Sequence, residues 1–471
     1  MIDTCQRILD EVDRSFVEFA DMRIYTSDEL QISVRKGTTE NISSDKIEGI
    51  GIRALVKGAW GFASVASLEA DAIRQTLGSA IKMAKGLSNS IKRPASINKE
   101  IVFDGRNEIK HDLNPRDISL EEKLELTQKV DRTLSDYDSQ KIINSIARYS
   151  ERLQREQIIN TNGTHVVSDY GIYRLSAMGT SRSGDIIQNV SKSKASSAGI
   201  KSLFDWNIDE EMTNLGKRAV ELLDAVSAPS GKMNVLLEPS LVGVYIHEAF
   251  GHGSEGDAIL ANKSVLTNQL GETLAIPEVS VIDDPTLYGL RGSFAYDSEG
   301  TPSQQRDIVK NGKLVGYLND LTSSTMLEGG NTLNGAGRAT DFRHMAMPRM
   351  GNTYIDNGSK SLEELAQEIG NGVYLKYSYG GYVNPSTGEF YFSSQSGYLI
   401  ENGEITKPIR NSGMSGFTLD VLKNTIGVGN DLDLDAFAGV CGKGNLTGYQ
   451  PMAVSAGGPH IAAKDIIVGG K

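Results

Sequence analysis

Fifty glycines are spread through the 471 residues with no fixed period. Glycine in that number and arrangement marks many tight turns, and many tight turns imply much antiparallel sheet. Three Asn-Gly pairs locate some of those turns. Asn162-Gly163 lies between strand-like runs at 156–160 and 164–168. Asn311-Gly312 separates Ile308-Val309 from Leu314-Val315, and Asn402-Gly403 separates Leu399-Ile400 from Glu404-Ile405. Both residue types tolerate positive φ, which two-residue hairpin loops require.

Helical periodicity breaks into this pattern at intervals. Ile8, Leu9, Val12 and Phe16 predict a helix over 2–17, followed by a strand-rich stretch over 22–64. The alternation Leu30-Gln31-Ile32-Ser33-Val34 is typical of that stretch. Ser67 is placed to cap a helix carrying Ile73, Leu77, Ala80, Ile81 and Ala84, with Gly86 as its stop. After a Lys92-Arg93-Pro94 linker the order recurs. Ser119 and Glu122 form a capping box for a helix with Leu124, Leu126, Val130 and Leu134. Strands follow at 142–149, 156–160 and 164–168, then a helix over 208–226. The reading is two similar helix-plus-sheet layers, about 1–92 and 96–228, within an N-terminal α+β region 1–228. Ala228-Pro229-Ser230-Gly231-Lys232 marks the boundary to a β-rich C-terminal domain, 232–471. Only two helices stand out there, one opening at Pro239 and one over 361–369, with Glu364 completing a capping box at Ser361 and Gly370 as its stop. The fold class expected is α+β.

Bulk properties remove several function classes. Hydrophobic residues at 39% and charged residues at 23% describe a globular chain. A net charge of −12 argues against a nucleic-acid partner. No apolar run is long enough to span a membrane, and residues 1–10 lack the apolar core of a signal peptide. A cytoplasmic protein is expected. Two cysteines make no disulfide framework in a chain of this length. Cys5 falls in a helical apolar pattern and reads as a small buried hydrophobe.

Chemistry concentrates after Pro239. The helix there leads into His247-Glu248-Ala249-Phe250-Gly251-His252. Metalloprotease helices place two histidines four apart, on one face. Here the spacing is five, and an ideal helix would set the two imidazoles about 140° apart, at 100° per residue. They share one ion only if the helix is distorted. Gly251 suggests how, by a π-type widening with an i→i+5 bond or by an abrupt helix end. Glu248 would then stand beside the open coordination position as a general base. A catalytic metal commonly has three protein ligands. Cys441, in Ala438-Gly-Val-Cys-Gly-Lys-Gly444, is the preferred third, with Lys443 nearby to favour the thiolate. Glu255 and Asp257 remain alternatives, as ligands or as groups orienting an imidazole. Arg338 and His344 are candidates for oxyanion support.

These residues resemble the TldD/PmbA family, in its TldD-like, metal-bearing branch. The resemblance rests on 247–257, Asp297-Ser-Glu-Gly-Thr-Pro-Ser303, 311–317, Met347-Pro-Arg-Met-Gly-Asn-Thr-Tyr354, Val428-Gly-Asn-Asp431 and Val440-Cys-Gly-Lys443. It implies one Zn²⁺ per chain on His247, His252 and Cys441. It implies hydrolysis of peptides and unstructured polypeptides by metal-activated water, with Glu248 as base. It implies a homodimer, or a heterodimer with a TldE/PmbA-like sister subunit. Phe250 stands where the family's pattern leads one to expect a smaller aliphatic residue. Two other readings stand beside this one: a metal-dependent amidohydrolase of small modified amides, and a non-enzymatic polypeptide-binding modulator subunit.

Overall fold

The computed structural model describes residues 2–329 and 332–470. Helices and mainly antiparallel strands occur in separate stretches, so the chain is α+β, as its periodicity requires.

The N-terminal strands build one sheet. Its order is Ala59–Val65, Thr38–Val56, Phe19–Arg35, Ile142–Asn160, His165–Ser183, and both Asp104–Asn107 and Ile186–Ser196 pair with the last. The strands of the 1–92 and 96–228 units therefore join edge to edge. Phe19–Arg35 runs antiparallel to Ile142–Asn160, from Asp21 opposite Asn160 to Arg35 opposite Ile146. That pairing satisfies two long edges that would otherwise stay open. Alternation divides the sheet into two faces. Ile32, Val34, Tyr149, Tyr173 and Leu175 lie under the helices Leu120–Ser135 and Ile208–Asp224. Met22, Ile24 and Ile52 lie under Ala70–Ser88. The opposite face is polar and carries Asp21, Arg23 and Glu156 toward the C-terminal half.

Several local expectations change in detail. The first helix ends at Asp10 rather than 17, because Asp13 bends the chain by accepting from the Ser15 amide. The second begins at Ala70, with Glu69 rather than Ser67 at its N-cap, and runs past Gly86 to Ser88. Strands 142–149 and 156–160 are parts of one 19-residue strand. Both capping boxes form, at Ser119/Glu122 and Ser361/Glu364.

Two strand systems make the C-terminal half. Five strands close into a ring: Gly372–Val383, Gly231–Leu237, Ile461–Gly470, Ser412–Phe417 and Glu389–Glu401, the last pairing back onto the first. The other is a six-stranded sheet in the order Lys313–Leu314, Arg306–Lys310, Val281–Asp283, Asn352–Ile355, Gly448–Gly458, Asp433–Asn445. Asn311 and Gly312 (φ 48° and 78°) and Asn402 and Gly403 (φ 54° and 82°) both take the left-handed pair that the hairpins need. Three short helices were not foreseen, Gly256–Leu260, Ser323–Met326 and Thr418–Lys423. Each is too brief to show a period. No helix among the described residues is long and apolar enough to cross a membrane.

Between ring and sheet runs the helix Pro239–Ile246, with Pro239 at its first position and every residue buried. It has no polar face because it has no solvent face. Gly243 lets it approach the strand Gly448–Gly458, since a Cβ there would fall 2.6 Å from the Ala456 carbonyl carbon.

Buried charges tie the two halves together. Arg53 pairs with Asp21 on its own sheet and with Glu299 of the C-terminal half (Nη1–Oε1 2.6 Å). Arg23 donates to the carbonyls of Asp341 (2.7 Å) and His344 (2.6 Å). Asp297 accepts from the amides of Glu299, Thr301 and Gly337. The stretch 297–303 thus belongs to this seam. Burial raises both carboxyls, Asp297 to about 7 and Glu299 to about 8, against the lowering pull of the amides and of Arg53 respectively. A carboxyl whose pKa is higher folded than unfolded binds more protons in the folded state. Its contribution is full below the unfolded value and is lost as pH rises through the folded one. Unfolding free energy, measured by urea titration, should therefore fall between about pH 5 and pH 8, each group contributing at most about 1.4 kcal/mol per pH unit. Glu299→Gln should flatten that fall; an unchanged slope in the variant would contradict the assignment.

Candidate metal centre

At the end of the buried helix the backbone widens. His247–Gly251 form a π-turn in which the His252 N–H donates to the His247 carbonyl. The i→i+5 bond inserts one extra residue into the turn. It brings the two rings to 5.4 Å between centroids, nearly perpendicular at 82°. Gly251 is essential here for room, not for conformational freedom. Its φ of −58° is ordinary, but a Cβ would lie 1.8 Å from the Met350 sulfur. Phe250 turns into the core and is fully buried.

The strand Asp433–Asn445 brings Cys441 to the same point, 189 residues along the chain from His252. Its sulfur lies 3.1 Å from His252 Nε2. One ligand atom from each of His247, His252 and Cys441 lies within 4.8 Å of the others. Bonds of about 2.0–2.3 Å in a tetrahedral site would space ligands by roughly 3.4–3.8 Å, so the three can close on one zinc-sized ion. His247 supplies the test of fit. Its side chain is buried, yet neither ring nitrogen has a hydrogen-bond partner among the described residues. A buried imidazole left in that state is costly unless something binds it. Two imidazoles and one thiol are also the donor set that zinc favours.

The remaining acids take distinct places. Glu255 is fully buried and faces His252 Nδ1 at 3.0 Å, which fixes the ring and leaves Nε2 toward Cys441. Burial would raise the Glu255 carboxyl, but Lys443, His252 and Arg349 overcome this and hold it at about 2. Asp257 lies farther out, 2.7 Å from Lys443 Nζ. Glu248 keeps partial exposure, 21% of its side chain, with Oε2 3.9 Å from His252 Nε2. Burial raises its pKa above the ordinary carboxylate range.

Two expectations do not join this cluster. Arg338 donates to the carbonyls of Met350 and Ala453 and stacks 4.7 Å over Phe294. It props the strand ends beneath Gly251. His344 pairs with Asp341 (2.9 Å) and sits by Gly448. Gly448 lies four residues along its strand from Met452, the partner of Cys441, or about 13 Å at 3.3 Å per residue.

Sequence comparison agrees with this geometry. Residues 20–84, 113–225 and 230–470 match, in that order, the PmbA/TldA metallopeptidase domain 1, central domain and C-terminal domain. The chain belongs to the PmbA/TldD family. A metalloprotease of Methanothermobacter thermautotrophicus is 34% identical over 98% of this chain and 97% of its own. A metalloprotease TldD homolog of Haemophilus influenzae is 30% identical, covering 99% and 96%. A zinc metalloprotease TldD homolog of Saccharolobus solfataricus is 29% identical over 98% of each. Among solved structures, a putative modulator of a DNA gyrase from Thermotoga maritima superposes with a TM-score of 0.79 at 22% identity, covering 99% and 100%. TldE from Thermococcus kodakarensis gives 0.73 at 18%, covering 100% and 99%. These two show that the fold is shared.

One residue escaped the sequence reading of this PmbA/TldD chain. Arg349, completely buried, donates from Nη2 to the Cys441 sulfur (2.8 Å) and carbonyl (2.9 Å) and from Nη1 to the Gln450 carbonyl (3.0 Å). Its Nε lies 3.4 Å from Glu255. Lys443, expected to support the thiolate, instead binds Glu255 (2.9 Å) and Asp257. Burial alone would raise the Cys441 thiol; the cations His252, His247 and Arg349 hold it well below its usual range. Of these, arginine keeps its charge when the imidazoles are neutral. Arg349 stood in the 347–354 stretch, but nothing in sequence spacing ties it to Cys441. Replacing it strands a buried thiolate and weakens the hold on a buried carboxylate. Arg349→Met should cost about 3–5 kcal/mol in urea unfolding; a loss under 1 kcal/mol would remove the arginine from this role.

Proposed function

We propose that this chain is a zinc-dependent peptidase acting on peptides and unstructured polypeptides, with its centre in the 232–471 half. The observation that carries the proposal is the buried His247, unpartnered at both nitrogens and grouped with His252 and Cys441. These three residues would hold the ion. When bound, zinc supplies Lewis acidity, acidifying water to near pH 7 and polarising a carbonyl.

The chain's own groups do the rest. Glu255 fixes the His252 ring through Nδ1. Arg349 holds the Cys441 side chain as thiolate. Glu248 reaches the accessible side of the cluster, takes a proton from the attacking water and returns it to the leaving amine. Burial raises its pKa, which strengthens the carboxylate as a proton acceptor.

Substrate binding follows from topology. The strand Asp433–Asn445 is the last in its sheet and pairs only with Gly448–Gly458. Val440, beside Cys441 on this strand, is 55% exposed. An extended peptide can add there as a further strand, read through its backbone. The names of the relatives as metalloproteases favour this reading over an amidohydrolase of small amides. The retained ligand set favours it over a purely binding subunit. The shared fold with TldE makes a sister subunit of that kind a candidate partner, and a homodimer the other.

Two substitutions test the proposal. Glu248→Gln should keep one metal per chain, by elemental analysis, while hydrolysis of an unstructured peptide falls about 10²–10⁴-fold; unchanged turnover would remove Glu248 from catalysis. Cys441→Ser should lose most of the bound metal, and a full complement in that variant would shift the third ligand to Glu255 or Asp257. Assays need a candidate sister subunit present as well as absent.

A further inference from the structure

Charge is unevenly placed in this acidic chain. The polar face of the N-terminal sheet carries Arg148, Arg152 and Arg174 close together, with Arg174 opposite Ser150 and so diagonal to the other two. Arg291 meets this face from the C-terminal half, its backbone N–H held by Ser455 Oγ at 3.1 Å. Arg291 is only 8% exposed, and its Nε and Nη1 are buried without a hydrogen-bond partner. Arg174 Nε is in the same state. Nearby acids are committed elsewhere. Glu29 pairs with Arg152, Asp435 with Lys194 and Glu156 with Arg23, while Asp297 is held by backbone amides. Burial pushes the Arg291 guanidinium down to about 9, and Arg174 and Arg152 push it the same way.

An uncompensated buried guanidinium is strongly destabilising. Here it borders a cavity of about 50 Å³, lined by Arg152, Arg291, Arg338 and Ser298 and also by the carboxyl residues Glu156 and Asp297. That volume holds roughly four water-sized atoms, the number of oxygens in a tetrahedral oxyanion.

We propose that this seam is a binding site for a small oxyanion of the phosphate class, taken by the Arg291 fork with Arg152 lining the same cavity from the N-terminal half. The planar guanidinium donates in parallel pairs to such oxygens. Both halves of the chain contribute cations, so the occupant fastens them together. The site is separate from the metal centre. None of His247, Glu248, His252 and Cys441 is among the residues that line the cavity. The shared chemistry has two sources, free phosphate and the end of a small phosphomonoester.

The test is calorimetric titration of the full-length protein with inorganic phosphate and, separately, glycerol 3-phosphate, at ionic strength held constant with sodium chloride. Saturable binding of one ion per chain is expected, with a higher unfolding temperature than in chloride alone. Arg291→Met should weaken binding at least tenfold, and Arg152→Gln several-fold. Arg291→Met should also unfold at a higher temperature than the parent in chloride, because it removes an unpaired charge. Tighter binding of glycerol 3-phosphate identifies the phosphomonoester as the source; a response to inorganic phosphate alone identifies the free ion. No saturable binding of either probe overturns the proposal, as does binding that Arg291→Met leaves intact, at the metal centre for instance. If Arg291→Met does not fold, Arg152→Gln decides, and parental affinity in that variant overturns the site.

Discussion

The His252 amide bonds to the carbonyl five residues back, not four, and the site depends on that displacement. A regular helix would turn the two imidazoles away from each other. Widening costs helical regularity, and it is held in place by burial on every side. The helix before it has no exposed residue, Met350 fills the space beneath Gly251, and the next turn tightens to place Glu255 against His252. A side chain at Gly251 would push against Met350, and the register of both rings would go with it.

Around this turn the protein buries more charge than an apolar core ordinarily tolerates. Glu255 meets His252, Lys443 and Arg349; Arg349 also meets Cys441. Each group is affordable only because the others are present. The cluster therefore acts as a unit, linking the widened turn, the 347–354 segment and the 433–445 strand. The same dependence recurs at the seam, where Arg53 spans Asp21 and Glu299.

Local chemistry was legible in the sequence. The Asn-Gly hairpins at 311–312 and 402–403, both capping boxes, Pro239 at a helix start and the need for a distorted helix near Gly251 follow from interactions within a few residues. Helix ends were less legible, because Asp13 and Glu69 set them through geometry that periodicity does not record. Pairings at long range were not legible at all. Nothing near Phe19–Arg35 names Ile142–Asn160 as its neighbour, and nothing near Arg349 names Cys441. Lys443 illustrates the limit. Its nearness to Cys441 in sequence suggested contact, but alternation along a strand sends residues two apart to the same face without making their tips meet, and the buried acids of the 255–257 turn claim the ammonium.

The closed ring has a further consequence for when the centre can exist. Gly231–Leu237, which launches the histidine-bearing helix, is held between Gly372–Val383 and Ile461–Gly470, both far downstream. Cys441 arrives on a strand made nearly as late. Contacts so distant in sequence close slowly, after much of the chain is available to close them. During synthesis the two imidazoles wait without their thiolate or their scaffold. A half-made chain thus carries the histidine motif without a completed centre, and the three candidate ligands come together only with the finished fold.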